Sequence, residues 1–280
     1  MLHIVTDGAV DMLPMWTEEY QIHIIPINIQ FEGKSYLQFT DIDFDSFYQM
    51  VDETKTIPKT SQPSPYQFVE FYKSIANEGD TILSIHVTGK LSGTYASSVI
   101  AARELKDSFN IIPVDSLGGS LGMGFMCREA RKMERKGKSL KEILCYIDKV
   151  KDNVQIILTL DTLEYARMNG RIGTLSAALA SILNIKPVAT LKDGVLNMVG
   201  KVRTRRKALN RVLEMGLNVY GKKEVYLGVL HARALKSGEA MLEEAKKIFN
   251  VKEAVLTDLS LSLAVNFGPG TIGLVLYPVE

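Results

Sequence analysis

The sequence has few cysteines, no excess of charge of either sign and no long apolar run. Its 280 residues include only Cys127 and Cys145, and the formal net charge is +1. The two cysteines lie far apart with no histidine close by, so the spacing of a zinc site is absent. We expect two reduced, mostly buried thiols and no metal. The near-neutral charge provides no field that would favour nucleic acid or an anionic membrane.

The apolar runs are short. None approaches the roughly 18 residues that a membrane-spanning helix requires. The first residues, M-L-H-I-V-T-D, lack the basic segment and apolar run of a signal peptide. An apolar fraction of 46% with 23% charged residues is typical of a soluble globular protein. These features predict a cytoplasmic protein, long enough for two domains.

The first half alternates short apolar runs with helical patterns. Strands are predicted at residues 2–6, 22–31, 81–87 and 111–114, and helices at 66–76, 95–105 and 121–135. Ser64 and Gln67 predict a capping box at the start of the first of these helices. Strands that alternate with helices predict an α/β/α domain with a mainly parallel sheet covered on both faces.

The second half has a different pattern. The turn K-D-G at residues 192–194 joins two apolar segments and predicts an antiparallel hairpin. Further strands are predicted at 154–160, 225–231, 254–256 and 272–277, and helices at 174–183, from 205 and at 235–249. We predict an α+β domain with a mixed sheet. The domains are expected to cover residues 1–150 and 151–280.

Four loops rich in glycine and hydroxyl residues stand where strands are predicted to end. They are T-D-G-A at 6–9, T-S-Q-P-S-P at 60–65, G-K-L-S-G-T at 89–94 and N-F-G-P-G-T at 266–271. In an open parallel sheet, ligands bind beyond the carboxyl ends of the strands. A strand that enters a helix through such a loop presents backbone N–H groups at the positive helix end. We therefore predict an anion site near Ser92.

Other functions fit these loops less well. G-K-L-S-G-T lacks the spacing of a phosphate-binding loop, and G-P-G-T-I-G at 268–273 precedes a strand where a dinucleotide fingerprint needs a helix. Ser92 has no nucleophile elbow around it, and the four histidines form no recognisable pair. His86, within an apolar strand, is interpreted as a structural residue. An enzyme that uses Ser92 on a small acyl or anionic substrate remains an alternative.

The motifs also resemble a known family. The chain carries in order I-V-T-D, T-S-Q-P-S-P, L-S-G-T-Y-A-S-S, V-D-S-L-G-G-S-L-G-M-G, L-E-Y-A-R-M-N-G-R-I-G, K-V-R-T-R-R-K-A-L and G-P-G-T-I-G. These blocks run from residue 4 to 273 and resemble the DegV family throughout. The resemblance implies a long-chain fatty acid held between two α/β domains. It further implies that a separate ATP-binding subunit of a fatty-acid kinase phosphorylates the bound carboxylate.

The resemblance also implies residue roles. Thr60 or Ser61, together with Ser92, would donate hydrogen bonds to the carboxylate, and the N–H groups of Gly93 and Thr94 would add to them. Arg171 resembles the family's arginine near the pocket mouth.

Two positions depart from the family's pattern. Many relatives read T-D-S after the first strand, whereas this chain has Gly8. Relatives commonly carry histidine before the G-P-G loop, and here the residue is Asn266. Asparagine can still donate a hydrogen bond to a carboxylate, but it carries no positive charge near neutral pH. The replacement therefore affects phosphoryl transfer more than binding.

Two further segments are assigned to the ligand and one to the partner. The small side chains of Ala177, Ala178 and Ala180 leave room for an acyl chain, although an ordinary core helix explains them equally well. Gly268 and Gly270 let a ligand approach the backbone. The basic cluster at 201–207 is either a solvated helix start or a partner surface formed by Arg203, Arg205 and Arg206.

The resulting hypothesis is a monomeric fatty-acid-binding protein without catalytic residues, cofactor or metal, which presents its ligand to the kinase subunit. The alternative of a different class is the Ser92 enzyme. A third hypothesis is a stand-alone lipid carrier or sensor that has no kinase partner.

Overall fold

A computed structural model describes residues 1–171, 173 and 185–279 of the chain. The strands fall into two separate groups. They belong to two units, Met1–Lys151 and Asp152–Glu280. The first unit has a parallel sheet and the second a mixed sheet, so the predicted fold class is confirmed.

The first unit alternates strands and helices. Its strands are β1 (Leu2–Asp7), β2 (Ile22–Ile25), β3 (Asn28–Phe31), β4 (Lys34–Leu37), β5 (Lys59–Ser61), β6 (Thr81–His86) and β7 (Asn110–Asp115). Its helices are α1 (Pro14–Glu19), α2 (Phe44–Thr54), α3 (Pro65–Ile75), α4 (Thr94–Glu104), α5 (Ser120–Arg135) and α6 (Leu140–Asn153).

The main sheet of this unit has the order β2-β1-β6-β7, and all its pairs are parallel. Val5 and Ile82 on its central strands are fully buried, as expected for a parallel sheet covered by helices. Phe68 and Tyr72 of α3 and Ala101 of α4 pack in the same core cluster. The sheet thus supports both helices, and the carboxyl ends of its strands share one edge.

The predicted single strand at 22–31 is wrong, because it forms two strands in different sheets. Pro26 separates β2 from β3 and has no N–H to continue a ladder. β3 instead forms the centre of a small antiparallel sheet of order β4-β3-β5, which the sequence pattern did not reveal. This small sheet carries Thr60 and Ser61 on β5.

The second unit is built on a six-stranded sheet of order β10-β9-β8-β13-β11-β12. Its strands are β8 (Gln155–Thr159), β9 (Lys186–Lys192), β10 (Val195–Val202), β11 (Glu224–His231), β12 (Asn250–Asp258) and β13 (Ile272–Pro278). Its described helices are α7 (Glu164–Met168), α8 (Arg205–Tyr220), α9 (Leu235–Ile248) and α10 (Leu261–Phe267). β11 and β12 are parallel, and the remaining pairs are antiparallel.

Local turn and cap predictions are confirmed. The β9–β10 hairpin turns at Asp193 and Gly194, whose φ angles are 52° and 77°. Positive φ at both central residues matches the right-handed twist of a hairpin. Ser64 and Gln67 form the expected capping box at the start of α3.

Three other predictions have different outcomes. The helix predicted at 174–183, with Ala177, Ala178 and Ala180, lies outside the described residues. The segment 266–271 begins within the last turn of helix α10 and does not follow a strand, so its predicted context is wrong. Cys127 is buried as expected, but Cys145 is exposed on α6. In the described part of the chain, no helix is long and apolar enough to cross a membrane.

Candidate functional site

The loop that follows β1 is tied to the loop that follows β6. Asp7, the last residue of β1, accepts hydrogen bonds from the backbone N–H groups of Ala9 and Val87, both at 2.9 Å. Because β1 and β6 are parallel neighbours, their ends meet at the same edge of the sheet. One buried carboxylate therefore holds the first and third of the predicted loops together.

A third loop joins them from β7. The N–H of Thr88 donates to the carbonyl of Gly118 at 3.0 Å, and the N–H of Ser120 donates to the carbonyl of Ala9 at 2.8 Å. The segment V-D-S-L-G-G-S therefore belongs to the same edge. Loops 6–9, 87–94 and 115–120 converge in the first unit.

The start of α4 lies in this group of loops. Its N-cap is Gly93, which has no side chain to accept hydrogen bonds, and its first turn carries no acidic residue. Ser92 Oγ lies 2.8 Å from Thr94 Oγ1 and accepts from the N–H of Thr94 at 3.3 Å. Thr94 is buried, whereas Ser92 is half-buried. Hydroxyl and N–H donors are thus gathered at the positive end of a helix, where an anion is stabilised.

The register of the small sheet distinguishes Thr60 from Ser61. Thr60 pairs with Ile29, which is fully buried, so the two side chains share the inner face. Ser61 points to the other face, where its Oγ accepts from Gln30 Nε2 at 3.4 Å. Of the two predicted donors, Thr60 is therefore the one whose side chain lies on the buried face of the small sheet.

Gln62 connects the T-S-Q-P loop to the start of α4. A Cβ built on Gly93 would overlap the side-chain amide of Gln62, so the amide lies in the space that glycine leaves open. Gln62 was not among the residues predicted from the sequence. Its signal is its place in the motif, directly after the predicted hydroxyl residues.

A buried hydrogen-bonded group resembles a catalytic triad. Ser84 Oγ lies 2.7 Å from His86 Nε2, and His86 Nδ1 lies 3.0 Å from Asp7 Oδ2. All three residues are 0% exposed, and the hydroxyl of Tyr72 lies 2.8 Å from Ser84 Oγ. A serine enclosed in this way cannot receive a substrate, so the interpretation of His86 as a structural residue is supported.

In the second unit, the G-P-G loop is held by two side chains. Gly268 and Gly270 have φ angles of 78° and 84°, which disfavour other residues. A Cβ on Gly268 would also overlap the ring of Tyr165, and one on Gly270 would overlap the carboxylate of Asp161. Glycine at these two positions therefore allows the loop to pack closely against Tyr165 and Asp161.

Arg205 bonds to the same loop. Its Nη1 donates to Asp161 Oδ1 at 2.7 Å and to the carbonyl of Gly270 at 2.8 Å. Arg203 and Arg206 are exposed. The structure thus gives Arg205 a role within its own unit, whereas its two neighbours in the basic cluster point to solvent.

Arg171 and Asn169 belong to the N-G-R-I-G segment. Arg171 donates to the carbonyl of Asn169 at 2.6 Å, and Asn169 Nδ2 donates to the carbonyl of Val265 at 2.8 Å. Asn169, which the sequence analysis passed over, thereby joins the segment after α7 to helix α10. Its signal in the sequence is its place at the start of N-G-R-I-G.

Asn266 lies at the end of α10 and is 8% exposed. Its Nδ2 donates to the carbonyl of Ser262 at 2.7 Å, and within the described ranges its buried Oδ1 has no hydrogen-bond partner. The side chain therefore retains a free acceptor, while its amide nitrogen already donates within the helix. The described part of the chain also holds no group of three histidine, cysteine or acidic residues arranged for a metal.

Comparison with known proteins decides the family. The model described as "Uncharacterised protein, DegV family" matches residues 1–279. The chain belongs to the DegV family. A DegV domain-containing protein from Listeria monocytogenes is 33% identical over 99% of this chain and 98% of its own. One from Deinococcus radiodurans is 29% identical over 99% of this chain and 98% of its own.

Solved structures share the fold over nearly the full length. A Thermus thermophilus DegV family protein, described by its fatty acid binding, is 30% identical with a TM-score of 0.90, and each chain is covered to 99%. A stearic acid-binding protein from Eubacterium ventriosum is 26% identical with a TM-score of 0.91, with 99% of this chain and 98% of the other covered. Both share the two-domain α/β fold described above.

Gly8, where the DegV pattern commonly has serine, has a local explanation. A Cβ on Gly8 would overlap the side-chain amide of Gln38, which is fully buried and donates to the carbonyl of Gly8 at 3.0 Å. Gln38 thus fills the space beside the β1 end that a serine side chain would need.

Proposed function

We propose that this DegV protein binds a long-chain fatty acid and holds its carboxylate at the start of α4. The observation that carries the proposal is the convergence of Ser92, Gly93 and Thr94 with the T-S-Q-P loop at a helix end whose N-cap residue is glycine. The fatty-acid-binding proteins with the same fold support the choice of ligand.

The carboxylate head and the acyl tail of the ligand contribute different amounts to the free energy of binding. A carboxylate at a helix start gains about 0.3–2 kcal/mol from the helix dipole. Each buried methylene contributes roughly 0.8 kcal/mol, so a chain with ~14 of them contributes about 11 kcal/mol before costs. Association itself costs an estimated 4–15 kcal/mol. The acyl tail therefore supplies most of the affinity, and the loops orient the head group.

The proposed head-group contacts are the hydroxyls of Thr60 and Ser92 and the N–H groups of Gly93 and Thr94. Ser61 is less favoured because its hydroxyl faces Gln30.

Asn266, Gly268 and Gly270 remain residues that the family resemblance assigns to the ligand. Ala177, Ala178 and Ala180 remain the predicted lining of the acyl slot.

The second part of the proposal is presentation of the carboxylate to an ATP-binding kinase subunit. The proposed partner surface consists of Arg171, Arg203 and Arg206. Arg205 supports this surface through its hydrogen bond to the G-P-G loop. In this role the protein is a cytoplasmic, monomeric carrier, and the phosphoryl-transfer chemistry belongs to the partner.

The decisive experiment is denaturing extraction of the purified protein, followed by mass spectrometry of the released small molecule. A stoichiometric long-chain fatty acid supports the proposal and identifies the chain length. A protein that releases none, and that takes up no added palmitate, refutes it.

The variant Ser92→Ala tests the position of the head group. We expect weaker retention of palmitate because one hydroxyl donor is lost. Ser74→Ala is the matched control, since Ser74 is an exposed serine on α3 that donates only to the carbonyl of Phe71. Equal retention by the two variants would place the carboxylate elsewhere.

A stand-alone lipid carrier is the second candidate, and Asn266 is the observation that favours it. Asparagine carries no charge near neutral pH, and its amide nitrogen already donates to Ser262. Acyl phosphate formation with a purified kinase subunit would exclude this candidate. If only Asn266→His gives acyl phosphate, the native protein is a carrier without kinase coupling.

A further inference from the structure

We infer that the buried chain Tyr72–Ser84–His86–Asp7 positions the two loops that carry the head-group donors and so sets the preference for a carboxylate over an uncharged head group. The inference deepens the proposed function and rests on it. None of the four residues is proposed to touch the ligand.

The chain is continuous and enclosed. Its hydrogen bonds measure 2.8 Å from Tyr72 to Ser84, 2.7 Å from Ser84 to His86 and 3.0 Å from His86 to Asp7. All four residues are 0% exposed. Since an unpaired buried polar group is costly, each member depends on the next.

The donors and acceptors fit one direction along the chain. An ionised Asp7 only accepts, so Nδ1 of His86 donates to it. With a neutral imidazole, Nε2 accepts from the hydroxyl of Ser84, which leaves the Ser84 oxygen to accept from Tyr72. Burial also raises the pKa of Tyr72 above its ordinary value, so its hydroxyl stays protonated as a donor.

The two ends of the chain lie on the elements that precede or follow the head-group loops. Tyr72 is on α3, which begins at Pro65 directly after the T-S-Q-P loop. Asp7 accepts from the N–H of Val87, at the beginning of the segment that leads to Gly93. One hydrogen-bonded chain therefore fixes the helix behind Thr60 and the loop in front of α4.

The hydrogen-bonded chain affects the distance between the T-S-Q-P loop and the loop in front of α4. Gln62 and Gly93 are in direct contact, and α3 and α4 share one core cluster with β1 and β6. Groups that bind a small polar head must be held to about 0.5 Å. If Tyr72 loses its bond to Ser84, α3 can shift along the sheet, and Thr60 shifts relative to Ser92.

The test compares two ligands with one tail and different heads, palmitate and hexadecanol. We expect Tyr72→Phe, which removes only the hydroxyl, to weaken palmitate binding about tenfold and to leave hexadecanol within about twofold. Ser84→Ala breaks the same chain at its next member and should give the same change in the ratio of the two dissociation constants.

Ile143→Ala is the control, because Ile143 is a buried residue of α6 outside both the chain and the cluster that holds α3 and α4. It should lower stability and leave the ratio of dissociation constants unchanged. A wild-type ratio in both Tyr72→Phe and Ser84→Ala overturns the inference and leaves the proposed function intact. A wild-type protein that binds no palmitate overturns both.

Discussion

The side-chain amide of Gln62 lies over Gly93, in the space where any other residue would carry its Cβ. This contact joins the end of the small antiparallel sheet to the first turn of a helix supported by the parallel sheet. The two loops that the sequence suggested separately therefore form one surface, and Gly93 is the position at which they touch.

Gly93→Ala should weaken palmitate binding roughly tenfold, which is about 1.4 kcal/mol. The added methyl group takes the space of the Gln62 side-chain amide, which must then turn away from the start of α4. Displacement of a fluorescent fatty acid measures the effect. Gly200→Ala is the control, since its methyl would meet only Val188 at an ordinary 3.7 Å. Unchanged affinity in Gly93→Ala would contradict the role given to this contact.

Arg205→Ala should lower the free energy of unfolding by about 1–2 kcal/mol, because one side chain bonds both Asp161 and the Gly270 carbonyl. Urea unfolding measures the change. Arg203→Ala, at an exposed position of the same cluster, should stay within about 0.5 kcal/mol of wild type. If both variants instead lose only kinase coupling, Arg205 belongs to the partner surface.

The two thiols should differ in reactivity. Cys145 is exposed, whereas Cys127 is buried and desolvation raises the pKa of its thiol to about 12. Because the thiolate is the reactive form, Cys127 should resist a thiol reagent at pH 8. Titration should therefore detect one thiol in the native protein and two in urea. The variant Cys145→Ala should show none until it is unfolded, and rapid native labelling of that variant would contradict the burial of Cys127.

Stability should decrease as the pH rises above about 9. Burial raises the pKa values of Cys127 and Tyr220 to about 12 in the folded protein. In the unfolded chain these groups lose their protons near their ordinary pKa values of 9.0 and 10.0. Between these values and 12 the folded state binds more protons, so the free energy of unfolding falls with pH.

Urea unfolding at pH 7, 8.5 and 10 measures this dependence. Cys127→Ala should reduce the decrease, because it removes one of the buried groups. Cys145→Ala should keep the wild-type dependence, since its thiol is exposed in the folded protein. An equal decrease in both variants would assign the effect to other residues.

Features set by neighbouring residues were predictable from the sequence. Ser64 and Gln67 form their capping box within four residues, and Asp193 with Gly194 forms the hairpin turn. Helix α10 was not predicted, because it is short and buried around its circumference and so lacks an amphipathic period.

The hydrogen-bonded chain behind the site depends on long-range contacts. Ser84 and His86 stand two residues apart on one strand and therefore face the same side, which the sequence does show. Asp7 is 79 positions from His86, and only the parallel pairing of β1 with β6 brings them together. The role of Gln62 likewise depends on where β5 leaves the small sheet.

The first turns of α3 and α4 are capped differently, and this difference provides a way to detect the bound ligand. Ser64 and Gln67 satisfy the first turn of α3 with its own side chains, so the amides there should exchange with solvent at the same rate whether the site is filled or empty. The first turn of α4 has no N-cap side chain, and a bound carboxylate would shield its amides. Slower hydrogen exchange at residues 93 and 94 alone would thus record loading of the protein, without any label on the lipid.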